Sequence, residues 1–263
     1  MAWQRLGHGE FNEAWLAWSS CLWAPVTVKI CRAAGRKLAL GRAYLRDEAE
    51  LLAQLAHPSL QRLLSIRVDD LPPHVVLEYV EGPSLAAVLL EQQFSAADAR
   101  MVTLQLLSAL HYLHGQGMAH LDLSPSNVLL REGRIVLLDL ELARPLGHVR
   151  SSGPPNGTEG YQAPEYVAGD PVTPGMDIFA VGAICFELLT GEPASCAATG
   201  TLRSREEIRA LLARTSPSGL AGAIANLLEP DPASRPESAA AALTMVSQTM
   251  TDQPLWPDFV PGP

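Results

Sequence analysis

The sequence has no apolar run long enough to cross a bilayer, which excludes a transmembrane helix of ordinary length. The longest run, residues 179–189, contains Glu187 and falls well short of the ~20 residues that a span needs. The amino terminus also has no basic segment followed by an apolar one, as a secretory signal would have. These absences predict a cytoplasmic protein without a membrane anchor.

Basic residues are scarce as well. The chain has 19 Lys and Arg against 28 Asp and Glu, a formal net charge of -9, and no dense Lys or Arg run. A surface that binds nucleic acid needs such a run or patch, so we expect no nucleic-acid partner. A magnesium-bound anionic ligand remains compatible with this charge.

Cysteines are few and widely spaced. Cys21, Cys31, Cys185 and Cys196 form no CxxC pair. Four cysteines in a chain of this length do not make a disulfide scaffold. We expect four reduced, mostly buried thiols, although a bridge between Cys21 and Cys31 across a hairpin stays open.

Aromatic residues make up only 6% of the 263 residues, whereas 48% of the chain is hydrophobic. Many of the hydrophobic residues are Ala, Leu and Val, and this composition favours a helix-rich globule. A chain of this size can bury a substantial core, and its length allows one two-lobed unit or two small domains.

The stretch HLDLSPSN at residues 120–127 carries the first chemical signal. It lies between an apolar helical pattern, which breaks at Gly115, and a short predicted strand that begins at Val128. A loop there would point its polar groups outward, so Asp122 could accept a proton and Asn127 could offer an amide oxygen to a cation. The alternative is that Asp122 and Asn127 only cap turns.

A second predicted strand, residues 135–138, delivers Asp139 at its end. Two carboxylates and an amide, from Asp122, Asp139 and Asn127, could therefore converge on one cleft. The pattern predicts a base, a metal site and a phosphate.

The amino-terminal third offers a lysine and a glutamate that fit such a site. Lys29 lies in an alternating strand pattern, residues 26–30, and Glu48 falls on the apolar stripe of a helix predicted over residues 42–55. A carboxylate on an inward face needs a partner, because an unpaired buried charge is costly. We therefore expect an ion pair between Lys29 and Glu48.

Glycine marks two further segments. In LGHGEFNEA, residues 6–14, Gly7 and Gly9 would let backbone N–H groups approach phosphate oxygens, although an ordinary hairpin turn is the alternative. A strand that ends near Leu77 leads into a short extended segment closed by Gly82. Such a segment is typical of a hinge between two lobes, and an ordinary linker is again the alternative.

The carboxy-terminal half contains three more motifs. A Pro- and Gly-rich segment that includes Ser151 and Ser152 ends in GTEGYQAPE, residues 157–165. Asp177 precedes a helix that is apolar on nearly every side and ends at a glycine, which belongs in a core. The third motif is DPASRP, residues 231–236.

Taken in order, these motifs resemble those of protein kinases over about residues 3–248. The resemblance implies a bilobal α+β fold in residues 1–248. A small β-rich lobe (1–77) would be followed by a hinge (78–82) and a larger α-helical lobe (83–248), and residues 249–263 would form a Pro-rich tail. The chain is similar to bacterial Ser/Thr protein kinases, without the membrane anchor or sensor domain that many of them carry.

The resemblance also implies roles for five polar residues, with ATP and Mg²⁺ or Mn²⁺ as cofactors. Lys29 would hold the α and β phosphates, and Glu48 would orient Lys29. Asn127 and Asp139 would bind the metal, and Asp122 would orient or deprotonate the acceptor hydroxyl of a protein substrate, whose identity stays open.

Further residues gain roles by resemblance. Leu77 would be the gatekeeper beside the adenine, and Glu78 and Val80 would bond the adenine edge through their backbones. An ion pair between Arg235 and Glu165 is implied, as is a link from Asp177 to the 120–127 loop. The residues that would contact the nucleotide are Leu6, Gly7, Gly9, Ala14, Thr27, Lys29, Leu77, Glu78, Val80 and Leu129.

Several positions depart from the family pattern. Leu121 replaces the usual Arg, so regulation through phosphorylation of the activation segment is not expected. Ser124 replaces a Lys and brings no charge to the transferred phosphate, which predicts slow turnover. Asp-Leu-Glu stands where Asp-Phe-Gly is usual, and Glu141 would either add a metal ligand or repel phosphates. Asn12 stands where the third Gly of the loop is usual and would close the loop less freely.

Three functions remain open from the sequence. The first is a slow or unusually regulated Ser/Thr protein kinase, which the retention of all five polar positions favours. The second is an inactive scaffold that binds nucleotide and partner proteins. The third is a small-molecule kinase, against which the 157–165 motif, Asp177 and Arg235 speak.

Overall fold

The computed structural model describes residues 2–150, 155–195 and 201–249. The chain folds into two compact units. Unit 1 comprises Met1–Glu81 together with Leu138–Glu141, and unit 2 comprises Gly82–Leu137 together with Leu142–Pro263. The strand-rich first unit and helical second unit give the mixed α+β class that the sequence predicts.

Unit 1 is built on a five-stranded antiparallel sheet with the strand order β1-β2-β3-β5-β4. Lys29 lies on the central strand β3, where it pairs with Ala14 of β2 and Val75 of β5. Regular pairing on both sides fixes the backbone from which the Lys29 side chain projects. The strands are β1 (Ala2–His8), β2 (Asn12–Ser19), β3 (Ala24–Cys31), β4 (Leu63–Arg67) and β5 (His74–Glu78).

Helix α1 (Arg36–Leu52) packs on this sheet and carries Glu48. Leu45 is fully buried and Glu48 is 2% exposed, as the apolar stripe predicts. The helix starts six residues before the predicted Arg42, because its first turn is largely exposed and adds nothing to the periodic pattern. It ends at Leu52 instead of Leu55, since the following N–H groups of Gln54 and Leu55 bond only three residues back.

Unit 2 is mainly helical and is centred on α5 (Pro174–Thr190), which is buried over almost its whole length. The predicted core helix is thus confirmed, and it ends at Gly191, whose φ is 72°. Helix α3 packs on α5 and α8, and α7 also packs on α5. The other helices are α2 (Leu85–Glu91), α3 (Ala96–Gly115), α4 (Pro164–Ala168), α6 (Arg205–Thr215), α7 (Ser218–Leu227) and α8 (Ala239–Ser247).

Two small β-ladders flank the loop at residues 120–127. Strand β6 (Met118–Ala119) pairs with β9 (Arg144–Pro145), and β7 (Val128–Arg131) pairs with β8 (Arg134–Leu137). The loop runs from β6 to β7 and ends in a short 3-10 helix, Pro125–Asn127. Its two ends are thereby fixed, and its middle carries Asp122.

The 120–127 loop also borders a point where only glycine fits. Gly82 has a φ of 140°, and a Cβ on it would lie 1.8 Å from the carbonyl oxygen of Leu130. Any other residue would push β7 away, so the glycine that closes the predicted hinge segment is needed for backbone packing.

The cysteines within the described ranges are unpaired. Cys21 is exposed, whereas Cys31 and Cys185 are buried, so the possible bridge between Cys21 and Cys31 does not form. Burial raises the pKa of the Cys185 thiol to about 12. Cys196, Ser151, Ser152 and nearly all of the predicted tail lie outside the described residues. Among the described helices, none is long and apolar enough to span a membrane.

Candidate active site

The ion pair predicted in unit 1 is present. The Nζ atom of Lys29 lies 2.8 Å from Oε2 of Glu48, and the two side chains are 10% and 1% exposed. The other carboxylate oxygen of Glu48 accepts a hydrogen bond from the backbone N–H of Leu140 at 3.2 Å. Both oxygens of this buried carboxylate are therefore satisfied, as a buried charge requires.

Two more carboxylates reach the same ammonium group. Lys29 Nζ lies 2.9 Å from Oδ1 of Asp139 and 3.1 Å from Oε2 of Glu141. One oxygen from each of Glu48, Asp139 and Glu141 lies within 4.8 Å of the others. We call these three residues the carboxylate cluster. Its carboxylate oxygens are ligands of the kind that a divalent cation prefers, although the ammonium group of Lys29 contacts all three carboxylates.

Burial and the neighbouring charges shift the pKa values of Lys29 and Glu48. Burial alone would lower the pKa of Lys29, but the three surrounding carboxylates raise it well above its usual value. Burial raises the pKa of Glu48 to about 7, against the opposing effect of Lys29. The two shifts have different main causes, since the negative charges favour the charged form of Lys29 whereas desolvation disfavours the charged form of Glu48.

The glycine-containing segment forms a tight turn between β1 and β2, in which the N–H of Gly9 donates to the carbonyl oxygen of Asn12 at 2.8 Å. A Cβ on Gly7 would meet nothing within 4 Å, so the space beside this strand is open. Asn12 is the first residue of β2 and is extended, so it does not use the left-handed conformation that a glycine at this position would permit. Its side-chain Nδ2 instead donates to Glu141 Oε2 at 2.9 Å.

Six residues of unit 1 were expected to contact the base of a nucleotide. Thr27, Leu77 and Val80 are buried, with exposed fractions of 3–7%. The backbone N–H of Glu78 donates to the carbonyl oxygen of Arg62, and its carbonyl oxygen accepts from Gln61 Nε2 at 2.7 Å. The remaining two residues are Leu6, which is 44% exposed, and Ala14, which lies on β2.

In unit 2, the buried carboxylate of Asp177 holds the start of the 120–127 loop. It accepts hydrogen bonds from the backbone N–H groups of His120 at 2.8 Å and Leu121 at 2.9 Å, and from the His114 ring at 2.8 Å. Burial alone would raise the pKa of Asp177, but these donors lower it below its usual value. The predicted link from Asp177 to this loop is present.

Leu121 has a φ of 66°, an uncommon conformation for a residue other than glycine. Such a conformation persists only where the surroundings fix it, and the two bonds to Asp177 do so. The result is a turn that brings the next residue, Asp122, into place.

The carboxylate of Asp122 accepts three hydrogen bonds from side chains and backbone. Its Oδ1 accepts from both the N–H and the hydroxyl of Thr158 at 2.8 Å, and its Oδ2 accepts from Asn127 Nδ2 at 3.0 Å. Asn127 Nδ2 also donates to the carbonyl oxygen of Asp122 at 2.9 Å. Because both amide hydrogens are used, the Asn127 Oδ1 is the atom left to bind a cation.

The contact between Thr158 and Asp122 was not predicted from the sequence, which marked Thr158 only as part of the 157–165 motif. The preceding Gly157 permits this contact. Its φ is 114°, and a Cβ there would lie 3.2 Å from Leu121 O and 3.3 Å from Asp122 Oδ1. The glycine was the available signal, because it marks a close approach of two backbones.

Two further residues of unit 2 complete the list of sequence candidates. Ser124 is 1% exposed, and its hydroxyl oxygen has no hydrogen-bond partner within the described ranges. Leu129 lies half-buried on β7, where its backbone forms a bridge with Ser84.

The buried ion pair predicted between Glu165 and Arg235 is also present, and it is bidentate. The two N···O distances are 2.6 and 2.8 Å. Arg235 also donates to the carbonyl oxygens of Glu229, Gly175 and Pro230, and its guanidinium lies over the ring of Phe179. This network ties α4, which begins within the 157–165 motif, to α5.

Comparison with known proteins gives a consistent assignment. The family model described as protein kinase domain matches residues 2–248. Among curated relatives, the probable serine/threonine-protein kinase PknB of Bifidobacterium longum is 31% identical over 205 residues, which is 72% of this chain and 30% of the relative. A probable serine/threonine-protein kinase of Streptomyces coelicolor is 31% identical, and PknB of Mycobacterium tuberculosis is 30% identical. Each covers 72% of this chain, which spans 29% and 32% of these two relatives respectively.

The chain thus spans about a third of the length of the relatives it matches. The matched region nevertheless includes every residue from β1 to α8, and with them all the motifs described above. The chain belongs to the protein kinase family.

Proposed function

We propose that this domain transfers the γ-phosphoryl group of ATP to serine or threonine hydroxyls of protein substrates. The observation that carries the proposal is the carboxylate of Asp122, which three donors from Thr158 and Asn127 hold in one orientation. A general base must be positioned before its basicity matters, because proton transfer needs hydrogen-bond distance to the acceptor hydroxyl. An inactive scaffold would not require such an ordered carboxylate.

In this proposal Lys29 binds the α and β phosphates, and Glu48 orients Lys29 through their buried ion pair. Asn127 and Asp139 are the proposed magnesium ligands, because an amide oxygen and a carboxylate suit that ion. Bound Mg²⁺ or Mn²⁺ would neutralise charge on the transferred phosphates. Asp122 accepts the proton of the attacking hydroxyl.

The base of the nucleotide is proposed to contact apolar or backbone groups. Leu77 would lie beside the adenine, and the backbones of Glu78 and Val80 would bond its polar edge. The phosphates would pass near Gly7 and Gly9, where the turn between β1 and β2 leaves open space. The other proposed contacts are Leu6, Ala14, Thr27 and Leu129.

The test is transfer of label from γ-labelled ATP, with Mg²⁺ or Mn²⁺, to the protein itself and to a basic generic protein. The matched control is Asp122→Asn, which keeps the size of the side chain but cannot act as a base. We expect this change to reduce transfer about 10²-fold or more. Label transfer by Asp122→Asn at the wild-type rate would refute the role of Asp122.

A second function, a nucleotide-binding scaffold, is favoured by one observation. Ser124 replaces the lysine that the family pattern places next to the transferred phosphate, and a hydroxyl donates a hydrogen bond but brings no positive charge. ATP binding without transfer, in both the wild type and a Ser124→Lys variant, would support the scaffold. Label transfer that rises in Ser124→Lys would support a slow kinase.

A further inference from the structure

The ammonium group of Lys29 donates hydrogen bonds to Glu48 and Asp139 and forms an ion pair with Glu141. An ammonium group carries three N–H donors. Three carboxylate oxygens surround it, from Glu48 at 2.8 Å, Asp139 at 2.9 Å and Glu141 at 3.1 Å. A phosphate oxygen that approaches Lys29 therefore meets three negative charges, and its binding is favoured when one of these carboxylates withdraws.

The three carboxylates are not equally free to withdraw. Glu48 is fixed, since its side chain is 1% exposed and each of its oxygens has a partner. Asp139 is 40% exposed, and its Oδ1 also accepts the backbone N–H of Glu141 at 3.1 Å. Glu141 is 18% exposed, and its Oε2 is shared between Lys29 and Asn12.

Asn12 holds Glu141 in this position. The Asn12 residue is 2% exposed, and its Nδ2 donates to Glu141 Oε2 at 2.9 Å. Its own Oδ1 is buried without a hydrogen-bond partner in the described part of the chain, which is unfavourable and shows that the amide is placed there as a donor. Asn12 and Glu141 both stand where the family pattern has glycine, and they contact each other although 129 positions separate them.

We propose that Glu141 is a built-in competitor for the phosphates of a nucleotide at Lys29 and that Asn12 positions it there. The Glu141 carboxylate forms an ion pair with the ammonium group and places a negative charge where a phosphate would come. This inference rests on the proposed function, because it takes Lys29 to be the phosphate-binding residue. It decides between the two actions of Glu141 that the sequence left open.

The other action, metal binding by Glu141, fits the geometry less well. The three oxygens of the carboxylate cluster converge on a point that the Lys29 ammonium already occupies. A divalent cation at that point would lie in contact with the ammonium group, and like charges at such a distance repel strongly.

The experiment measures the binding of adenosine, ADP and ATP by calorimetry, first with EDTA and then with Mg²⁺. The variants are Glu141→Ala, which removes the carboxylate, and Glu141→Gln, which keeps its size and removes its charge. Asn12→Ala removes the positioning bond. Glu50→Gln is the charge control, because Glu50 is an exposed residue of α1 outside the carboxylate cluster.

We expect Glu141→Ala to bind ADP and ATP about tenfold more tightly than the wild type in EDTA, because the variant removes a competing negative charge from beside Lys29. Glu141→Gln should show a gain in the same direction, and Asn12→Ala a smaller one. The affinity for adenosine should not change in any variant, because adenosine has no phosphate. Glu50→Gln should match the wild type for all three ligands.

Four results would overturn the inference. Unchanged ADP affinity in both Glu141 variants would refute competition while leaving the proposed function intact. An equal gain for adenosine would assign the effect to the shape of the site. If the Glu141 variants bind ADP and ATP more weakly than the wild type, and do so only in Mg²⁺, Glu141 is a metal ligand. Failure of every variant, including the wild type, to bind any of the three ligands would remove the proposed function as well.

Discussion

Breaking the buried ion pair between Glu165 and Arg235 should destabilise unit 2 strongly. The perturbation is Glu165→Ala. It leaves the Arg235 guanidinium, whose side chain is 0% exposed, without its bidentate carboxylate. Loss of one partner of a buried pair typically costs about 3–5 kcal/mol, because the remaining charge stays desolvated. Domains of this kind have a free energy of unfolding of only about 5–15 kcal/mol, so the loss is a large fraction of the total.

The assay is urea unfolding followed by circular dichroism, since most helices belong to unit 2. The matched control is Glu192→Ala, which removes a carboxylate from another Arg–Glu pair. Arg203 and Glu192 are similarly close, at 2.7 Å, but their side chains are 25% and 50% exposed. Water already solvates that pair, so its loss should change the free energy of unfolding by about 1 kcal/mol or less.

A double variant tests the physical reason. Replacing both partners with apolar residues, Glu165→Leu with Arg235→Met, removes the buried charges together and often restores stability at such sites. Here we expect only partial recovery, since the carbonyl oxygens of Glu229, Gly175 and Pro230 also lose their donor. Equal losses in Glu165→Ala and Glu192→Ala would refute the reasoning from burial.

Three more predictions follow from the site and the core. Thr158→Val should lower kcat about tenfold or more with little change in KM for ATP, because Asp122 loses one of its orienting bonds. Thr158→Ser keeps the hydroxyl and should restore the rate. Equal rates in both variants would contradict this role of Thr158. Cys185 should resist alkylation in the folded protein while Cys21 reacts, because burial raises the pKa of Cys185 to about 12. Mass spectrometry of labelled peptides measures both rates, and labelling of both cysteines at the same rate would contradict this prediction. The lowered pKa of Asp177 contributes stability that is present above the ordinary pKa of 3.8 and lost as the pH falls through the lower folded value. Acid unfolding monitored by circular dichroism should therefore be less dependent on pH in Asp177→Asn, and an unchanged pH dependence would refute the assignment.

Local patterns were sufficient to predict much of this protein. The position of Glu48 on an apolar helical stripe predicted its ion pair with Lys29, because a buried charge has few ways to be satisfied. The apolar sequence after Asp177 likewise predicted the core helix α5. Motif order then supplied the pairing of Glu165 with Arg235, which no local pattern contains.

The remainder depended on contacts between distant parts of the chain. The bonds from Thr158 to Asp122 and from Asn12 to Glu141 join positions far apart in sequence, and both use short polar side chains that also suit ordinary turns. The sequence identified Glu141 as unusual, but it could not give the direction of its effect. That direction depends on where Lys29 Nζ lies, which is a tertiary fact.

If Asp122 acts as proposed, the bonds from Asp177 to the backbone at His120 and Leu121 make the reaction rate depend on packing in the core. Asp177 belongs to the first turn of α5, the most deeply buried of the described helices of unit 2. The orientation of the Asp122 carboxylate therefore depends on the position of this helix. A small repacking between α5 and α7 would move this anchor with the helix. A conservative substitution that causes this repacking should change the melting temperature little and still slow the reaction. Random mutagenesis should therefore find variants with reduced activity at apolar core positions that contact no substrate.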